Sequence, residues 1–451
     1  MINKFKELNL AFKILIITII TLLILYIFFF FSNCFINVGL RQYIRTYSPC
    51  SYSDDRITPK YYKDGDYRYY TFVTDNNIKV VELTDLHIGG GFLSYKRDRK
   101  TIKETITIIQ NELPDLVILN GDFLYPGITS SGTINNRQTL KTIMYMMNHL
   151  GTYYTFNLGK TDIHTFSYLH AKGFYNILAN SKSKYLLYQP YITNYGYTNQ
   201  FFVEKNSKGL VSNIIFTIDS NEKKINNKEF SFRKNNGIIF DEQVSWAKEI
   251  INYFTLKNQT IIDESIIEYT DDERNNYLPV KSFVYTHIPV SEYAIAYEDL
   301  IHRNFAKTLT SEYVSGIWDE LVMNNDYKTQ IHYNGRNTGI EIGKEDKLLE
   351  VLSTELKSLK AVFFGGDHLN NGIINYKGVY LCSNYSLDNI TIKDIKNYGA
   401  HRGLTVVTYN DYGSSIITPL NIYEQSYIVE NGKLNNGNKK GPYNSFFLPN
   451  K

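Results

Sequence analysis

The chain has 451 residues, enough for two or three average domains, although a single large α/β domain also reaches this size. Its 48 basic and 45 acidic residues leave a net charge of +3, which gives no support for a nucleic-acid-binding surface or a strongly cationic membrane patch. The 39 tyrosines and the abundance of Asn, Lys and Ile fit an AT-rich coding sequence and are assigned no function.

In chain order, the first feature is an unbroken apolar run from Ile14 to Phe31, extended past a polar break by Phe35 and Ile36. At about 1.5 Å per residue it is long enough to cross a hydrocarbon core of roughly 30 Å. A cleaved signal peptide is the competing reading, but the run exceeds a signal's usual apolar region and no small-residue cleavage site follows it. Lys4, Lys6 and Lys13 precede the span while Arg41 and Arg45 follow it, a slight bias toward a cytoplasmic N-terminus at residues 1–13. The expectation is a single-pass membrane protein with its span at residues 14–36 and its body lumenal or extracellular. Residues 37–76, polar and Tyr-rich, are expected to form a stem or peripheral hairpin. Among three cysteines, Cys50 and Cys382 are the pair expected to form any disulfide, Cys34 lying at the membrane edge. The sequons at Asn258, Asn384 and Asn389 discriminate nothing in so Asn-rich a chain.

From Ile78 onward, strand-like apolar runs alternate with helix-period segments, the pattern of an α/β domain over residues 77–425. Strands are expected at residues 78–83, 116–119, 153–158, 214–218, 283–286, 361–364, 379–382 and 404–408. Ile102, Ile106, Ile109 and Leu113 recur at helical spacing ahead of Pro114, and Leu140, Ile143, Met147 and Leu150 recur ahead of a Gly151 cap. Val244, Ala247, Ile251 and Phe254 mark a third helix. These stripes read as core rather than as ligand boxes. Residues 220–237 and 321–346 read as surface insertions and 426–451 as a weakly ordered tail.

The chemistry gathers where strands end. Val80–Leu83 runs into Thr84-Asp85-Leu86-His87 and then three glycines, and Leu116–Leu119 runs into Asn120-Gly121-Asp122. Tyr153–Leu158 runs into Gly159-Lys160-Thr161-Asp162, Phe283–Thr286 into His287-Ile288-Pro289, and Ala361–Phe364 into Gly365-Gly366-Asp367-His368. One Asp-x-His pair is a weak signal for a metal, but ligands in α/β sheets collect outside the carboxyl ends of strands, so five such ends can share one crevice.

In their order, these strand ends resemble the successive signatures of the calcineurin-like metallophosphoesterases: Asp-x-His, Gly-Asp, Gly-Asn-His, a lone His and Gly-His-x-His. The nearer resemblance is to the fungal and plant branch related to purple acid phosphatases. It is carried by Thr84–Gly89, Asp115 to Asp122, Asp219-Ser220 with Gln243 and Trp246, Thr286–Pro289 with Glu292-Tyr293, and Phe363–Asn371, and it covers residues 78 to 410. It implies a β-sandwich of metallophosphoesterase type flanked by helices. It also implies a phosphomonoester hydrolase in which a pair of metals bridged by a carboxylate activates water against a phosphoryl group.

Carried over, the first metal takes Asp85, His87 and His368, with Asp122 as the bridge. The second half departs from the pattern, because Lys160 and Thr161 stand where the family has Asn and His, and Gly366 stands where it has a histidine. Only Asp122 and His287 remain for a second ion. The Lys160 ammonium is then expected to take the place of the missing cation beside Asp122. The resemblance so amended implies one divalent or trivalent ion of the Fe, Mn or Zn class, with Asp85, His87, Asp122, Lys160 and His287 as catalytic residues and activity reduced or lost. Its partner is a phosphorylated small molecule or phosphoprotein. The alternative is an inactive pseudophosphatase that binds a phosphorylated ligand, and a third reading keeps the metal as purely structural. His164, Asp367 and His401-Arg402 are accessory candidates with ordinary structural explanations.

Overall fold

The computed structural model describes residues 9–163, 167–191, 195–221, 237–266, 268–302, 307–316, 343–366, 368, 372–391, 402–410, 414–422, 427–430 and 433–436. Most of both expected insertions, and His164, Asp367 and His401, lie outside these residues.

Two sheets face one another. The larger runs β1 (Lys60–Asp64), β2 (Tyr67–Val73), β6 (Gln200–Lys205), β7 (Val211–Thr217), β8 (Lys281–Tyr285), β10 (Leu359–Phe364), β12 (Val379–Ser383), β11 (Gly372–Tyr376) and β9 (Ser311–Gly316). The smaller runs β14 (Ser415–Asn421), β13 (Gly403–Tyr409), β3 (Ile78–Leu83), β4 (Leu116–Asn120) and β5 (Tyr154–Asn157). β3, β4 and β5 are parallel, as are β7, β8, β10 and β12, so each sheet presents a row of carboxyl ends. A separate two-stranded ladder of β15 (Tyr427–Glu430) and β16 (Lys433–Asn436) lies in the expected tail.

Strand period two builds the sandwich. Ile78 and Val80 of β3, Leu116 and Ile118 of β4, Phe283 and Tyr285 of β8, and Ala361 and Phe363 of β10 pack into one core between the sheets. The alternate residues Val81, Leu83, Val117 and Leu119 turn outward under α2 (Tyr95–Glu112), α3 (Arg137–Leu150) and α4 (Ala171–Ala179). On the other side, Val284, Val362 and Phe364 pack under α5 (Asp241–Asp263) and α7 (Ser291–His302). The short α6 (Asp271–Tyr277) closes a small satellite core with Leu210 and Ile262. α2 ends at Leu113 in the left-handed conformation just before Pro114, and α3 ends at left-handed Gly151.

The N-terminal helix α1 differs most from expectation. It runs without interruption from Leu10 to Ile44, 35 residues, and does not stop at residue 36. Its first two-thirds is mostly apolar and has no buried residue, and it is long and apolar enough to cross a membrane. Its last third is part of the domain: Leu40 and Ile44 are fully buried in the core beneath the smaller sheet. Arg41 and Arg45 bond to Gln138, Thr142 and Tyr145 of α3. Of residues 37–76, the first eight continue α1, and β1 and β2 form an antiparallel hairpin at the edge of the larger sheet.

Cys50 and Cys382 are separate thiols. Cys382 is buried inside β12 between the sheets, whereas Cys50 packs beneath the smaller sheet on the far side of it. The sequon residues Asn258, Asn384 and Asn389 are all buried and hydrogen-bonded, so in the folded chain they are closed to glycan attachment.

Candidate metal centre

At the carboxyl ends of the two sheets, backbone torsion angles set the site. Asp85, His87 and Asp122 each adopt a positive φ, 51°, 47° and 52°. Left-handed backbone at three non-glycine residues within one cluster is costly, and it turns all three side chains into the crevice. The loop after His87 is fixed from both sides. Asp98 accepts the Gly89 and Gly90 N–H groups at 2.9 and 3.0 Å, while Asn33 and Asn37 of α1 donate to the Gly90 carbonyl at 2.7 and 3.1 Å. Gly90 has φ 68°, and a Cβ there would lie 1.9 Å from Thr139 Oγ1, so only glycine fits.

Asp85, His87, Asp122 and His368 each offer a ligand atom within 4.8 Å of the others. His368 Nε2 lies 3.1 Å from Asp85 Oδ1, and His87 Nε2 lies 3.9 Å from Asp85 Oδ1 and 3.5 Å from Asp122 Oδ2. Three of the four are buried; His368 is the accessible member, its side chain 24% exposed. Among the described residues this is the one group of three or more carboxylate, imidazole or thiol donors so arranged.

The donor set fits a metal. Asp85 Oδ1 and His87 Nε2 are buried with no hydrogen-bond partner, a costly state that an ion between them would relieve. The remaining oxygen of each carboxylate is already engaged. Asp85 Oδ2 accepts the Thr84 hydroxyl at 2.8 Å and the Gly366 N–H at 3.0 Å, and Asp122 Oδ1 accepts the Thr161 N–H at 2.7 Å. Two carboxylates and two imidazoles suit Zn, Mn or Fe.

The sequence reading missed Asp388. Its Oδ2 faces Nδ1 of both His87 (3.1 Å) and His368 (3.4 Å), while its Oδ1 accepts the N–H groups of Ile390 and Thr391. One carboxylate thus faces the Nδ1 sides of two imidazoles whose Nε2 atoms face the cluster, and the Thr391 hydroxyl, 3.2 Å from His368 Nδ1, helps to fix the second ring. A signal was present, since β12 also runs into a polar loop, but Asp388 follows the strand by five residues rather than one or two.

Electrostatics match this arrangement. Burial opposes charge on His87, but the Asp388 carboxylate outweighs it and raises the imidazole to about 9. Burial likewise opposes ionisation of Asp122 and Asp388. The His287 imidazole for Asp122, and those of His87 and His368 for Asp388, hold these carboxyls far below the usual range.

The second half of the expected site is built differently. His287 Nδ1–H donates to the Asn120 carbonyl at 2.8 Å, and its Nε2 lies 3.5 Å from Asp122 Oδ1. Gly159 is wedged against both residues, so that a Cβ would lie 2.3 Å from Asp122 Oδ1. Lys160 sits half-buried in the next position, and Asp122 Oδ1 accepts the Thr161 N–H from the same loop. Asp162 ties the loop down, accepting the N–H groups of Asp122, Leu124 and Gly159. Arg402, expected either to meet a phosphate or to be an ordinary surface residue, is buried.

No protein-family model matches the sequence, and no curated protein matches it. The structure is similar to a dimetal phosphatase from Danio rerio, at 11% identity over 76% of this chain and 99% of that chain, with a TM-score of 0.43. It is also similar to a purple acid phosphatase from yellow lupin seeds, at 12% identity over 78% of this chain and 53% of that chain, with a TM-score of 0.33. The chain thus spans about half the length of the lupin protein. The order of the strand-end motifs and the helix-flanked pair of sheets agree with the resemblance to calcineurin-like metallophosphoesterases.

Proposed function

We propose that this chain is a membrane-anchored, metal-dependent phosphomonoester hydrolase of the calcineurin-like metallophosphoesterase type, built around one ion. The observation that carries the reading is the meeting of Asp85, His87, Asp122 and His368, from the ends of β3, β4 and β10, with unbonded buried donor atoms aimed at a common point. These four residues would hold the ion. When bound, it supplies Lewis acidity toward a phosphoryl oxygen and the attacking water.

The chain's own groups do the rest. Asp388 fixes the two imidazole rings, and Thr84 and the Gly366 N–H fix Asp85 so that one oxygen faces inward. His287, beside Asp122 and 1% exposed, is placed to hold a proton near a phosphoryl oxygen. His368 is the ligand a substrate approaches from solvent. The Asp122 oxygen that a second ion would share already has the Thr161 N–H, which supports one ion rather than two. The same observation favours a second reading, a protein that binds a phosphorylated ligand without turning it over.

The helix belongs to the mature chain on this proposal, because cleavage after the apolar run at Ile36 would remove Asn33 and its bond to Gly90 beside the metal centre. Its exposed apolar surface requires a lipid environment. The domain is lumenal or extracellular, in line with the flanking charges.

Elemental analysis of the full chain in detergent, with phosphate release from an aryl phosphate, tests the reading. About one ion per chain and turnover abolished by Asp85→Ala are expected. One ion without turnover of any phosphomonoester offered, soluble or membrane-bound, supports the binding-only reading, and two ions overturn the one-ion site.

A further inference from the structure

α1 does more than tether. Its contacts with the domain march in register from one end of the smaller sheet to the other. Asn33 bonds Gly90, just beyond the carboxyl end of β3; Arg41 bonds the first half of α3 and Arg45 its middle; and Cys50, six residues past the helix, bonds Leu150 at the approach to the amino end of β5. α1 therefore runs antiparallel to β3, β4 and β5, and its apolar portion projects past their carboxyl ends. That is the end that carries the metal centre.

The distances are short. Leu10 to Phe31 is roughly 33 Å of helix at about 1.5 Å per residue, which matches a hydrocarbon core of about 30 Å. Asn33 follows within one helical turn, and it holds Gly90, three residues from His87. Loops of the domain reach the apolar portion itself: Phe92 packs on Phe28 and Phe29 with ring centroids 5.8 and 5.9 Å apart, and Tyr168 packs on Phe30 at 5.1 Å. Around these contacts Phe92, Leu93, Ile128 and Tyr168 are 41%, 47%, 47% and 47% exposed. They come from the loops that follow β3, β4 and β5, and they form an apolar collar continuous with the membrane-crossing surface of α1.

We infer that the metal-bearing end of the sandwich is docked on the bilayer that α1 crosses, through the collar of Phe92, Leu93, Ile128 and Tyr168, and that the site takes its phosphoryl group from a lipid headgroup of that bilayer. The inference rests on the hydrolase reading for its chemistry and on the helix and collar for its geometry. A long flexible stem would leave the orientation of the site free. Here the helix enters the core without a break, so a membrane-resident phosphomonoester meets the metal centre at high local concentration and a soluble one gains nothing. Partly exposed aromatic and aliphatic side chains beside a spanning helix suit the interfacial layer.

The full chain in phosphatidylcholine nanodiscs doped with phosphatidic acid provides the test. The emission of Phe92→Trp is expected to be quenched by brominated phosphatidylcholine, and that of Asp54→Trp, at the opposite end of the sheet, is not. Equal quenching of the two overturns the docking. Phosphate release from phosphatidic acid is expected to fall roughly tenfold in Leu93→Ser/Ile128→Ser, with release from a soluble aryl phosphate unchanged. An unchanged lipid rate in that variant overturns the role of the collar. Hydrolysis of the aryl phosphate with none of phosphatidic acid overturns the lipid substrate and leaves the hydrolase reading standing. Hydrolysis of neither defeats the hydrolase reading and the lipid substrate together, and the tryptophan quenching still decides the docking.

Discussion

Asp388 Oδ2 stands 3.1 Å from His87 Nδ1, on the side of the ring away from the metal cluster. The same oxygen is 3.4 Å from His368 Nδ1, which also lies 3.2 Å from the Thr391 hydroxyl, so a single buried carboxylate puts its charge beside both imidazole ligands. Asp388→Asn keeps the shape and removes the charge. It is expected to weaken metal binding about 10- to 100-fold, read by competition with a chelator, while far-ultraviolet circular dichroism is unchanged. Metal affinity equal to that of the unsubstituted chain would show that the two rings are oriented by packing alone.

Gly159 tests the other side of the cluster. An added Cβ would lie 2.3 Å from Asp122 Oδ1, 2.4 Å from its backbone N and 2.8 Å from His287 Cδ2, and the neighbouring loop is held by Asp162. Gly159→Ala is expected to cost about 1 to 3 kcal/mol of stability by overpacking and to lower metal content. Full metal occupancy in this variant would mean that Asp122 can move away without cost to the site.

The union of α1 with the domain makes a prediction about stability. Leu40 is fully buried under the smaller sheet, although it lies in the same helix as the exposed apolar run. Leu40→Ala is expected to destabilise the domain by about 2 to 5 kcal/mol, visible as a lower urea midpoint for the loss of tertiary structure. A free stem at this position would show no change.

The sandwich and its site were largely legible because one signal served both. An apolar run that stops in Asp, His or Gly marks the carboxyl end of a buried strand, and all eight expected strands form at those places. Such a signal has no purchase on edges: β1 and β9, the two edge strands of the larger sheet, are polar or Tyr-rich. Nor does it reach Asn33, in the polar break that follows Phe31, or Asn37: both are buried donors to Gly90 within an unbroken helix. Pairing Cys50 with Cys382 by elimination failed because nothing in their spacing says that a sheet lies between them. Asp388 was missed because it touches the site through two histidines, a relation that only the assembled strands create.

Glu82 carries a prediction about pH. It faces inward at the end of β3, beneath the metal centre, where its Oε1 accepts from Asn120 Nδ2 at 2.6 Å and its Oε2 has no hydrogen-bond partner. Burial raises its carboxyl from 4.5 to about 8, only partly offset by the Asn120 bond. The folded chain therefore keeps this proton at pH values where the unfolded chain has lost it. Stability from this group is complete below the unfolded value of 4.5 and declines as pH rises toward 8, by as much as about 1.4 kcal/mol per unit. Glu82→Gln retains an acceptor for Asn120 and has no proton to lose. The stability of the variant relative to the unsubstituted chain is expected to grow between about pH 5 and pH 8 and then to level off, read from urea midpoints across that range. A difference that stays constant with pH would show that Glu82 is ionised in the folded chain at neutrality, with a counter-charge or a solvent path beneath the site to sustain it.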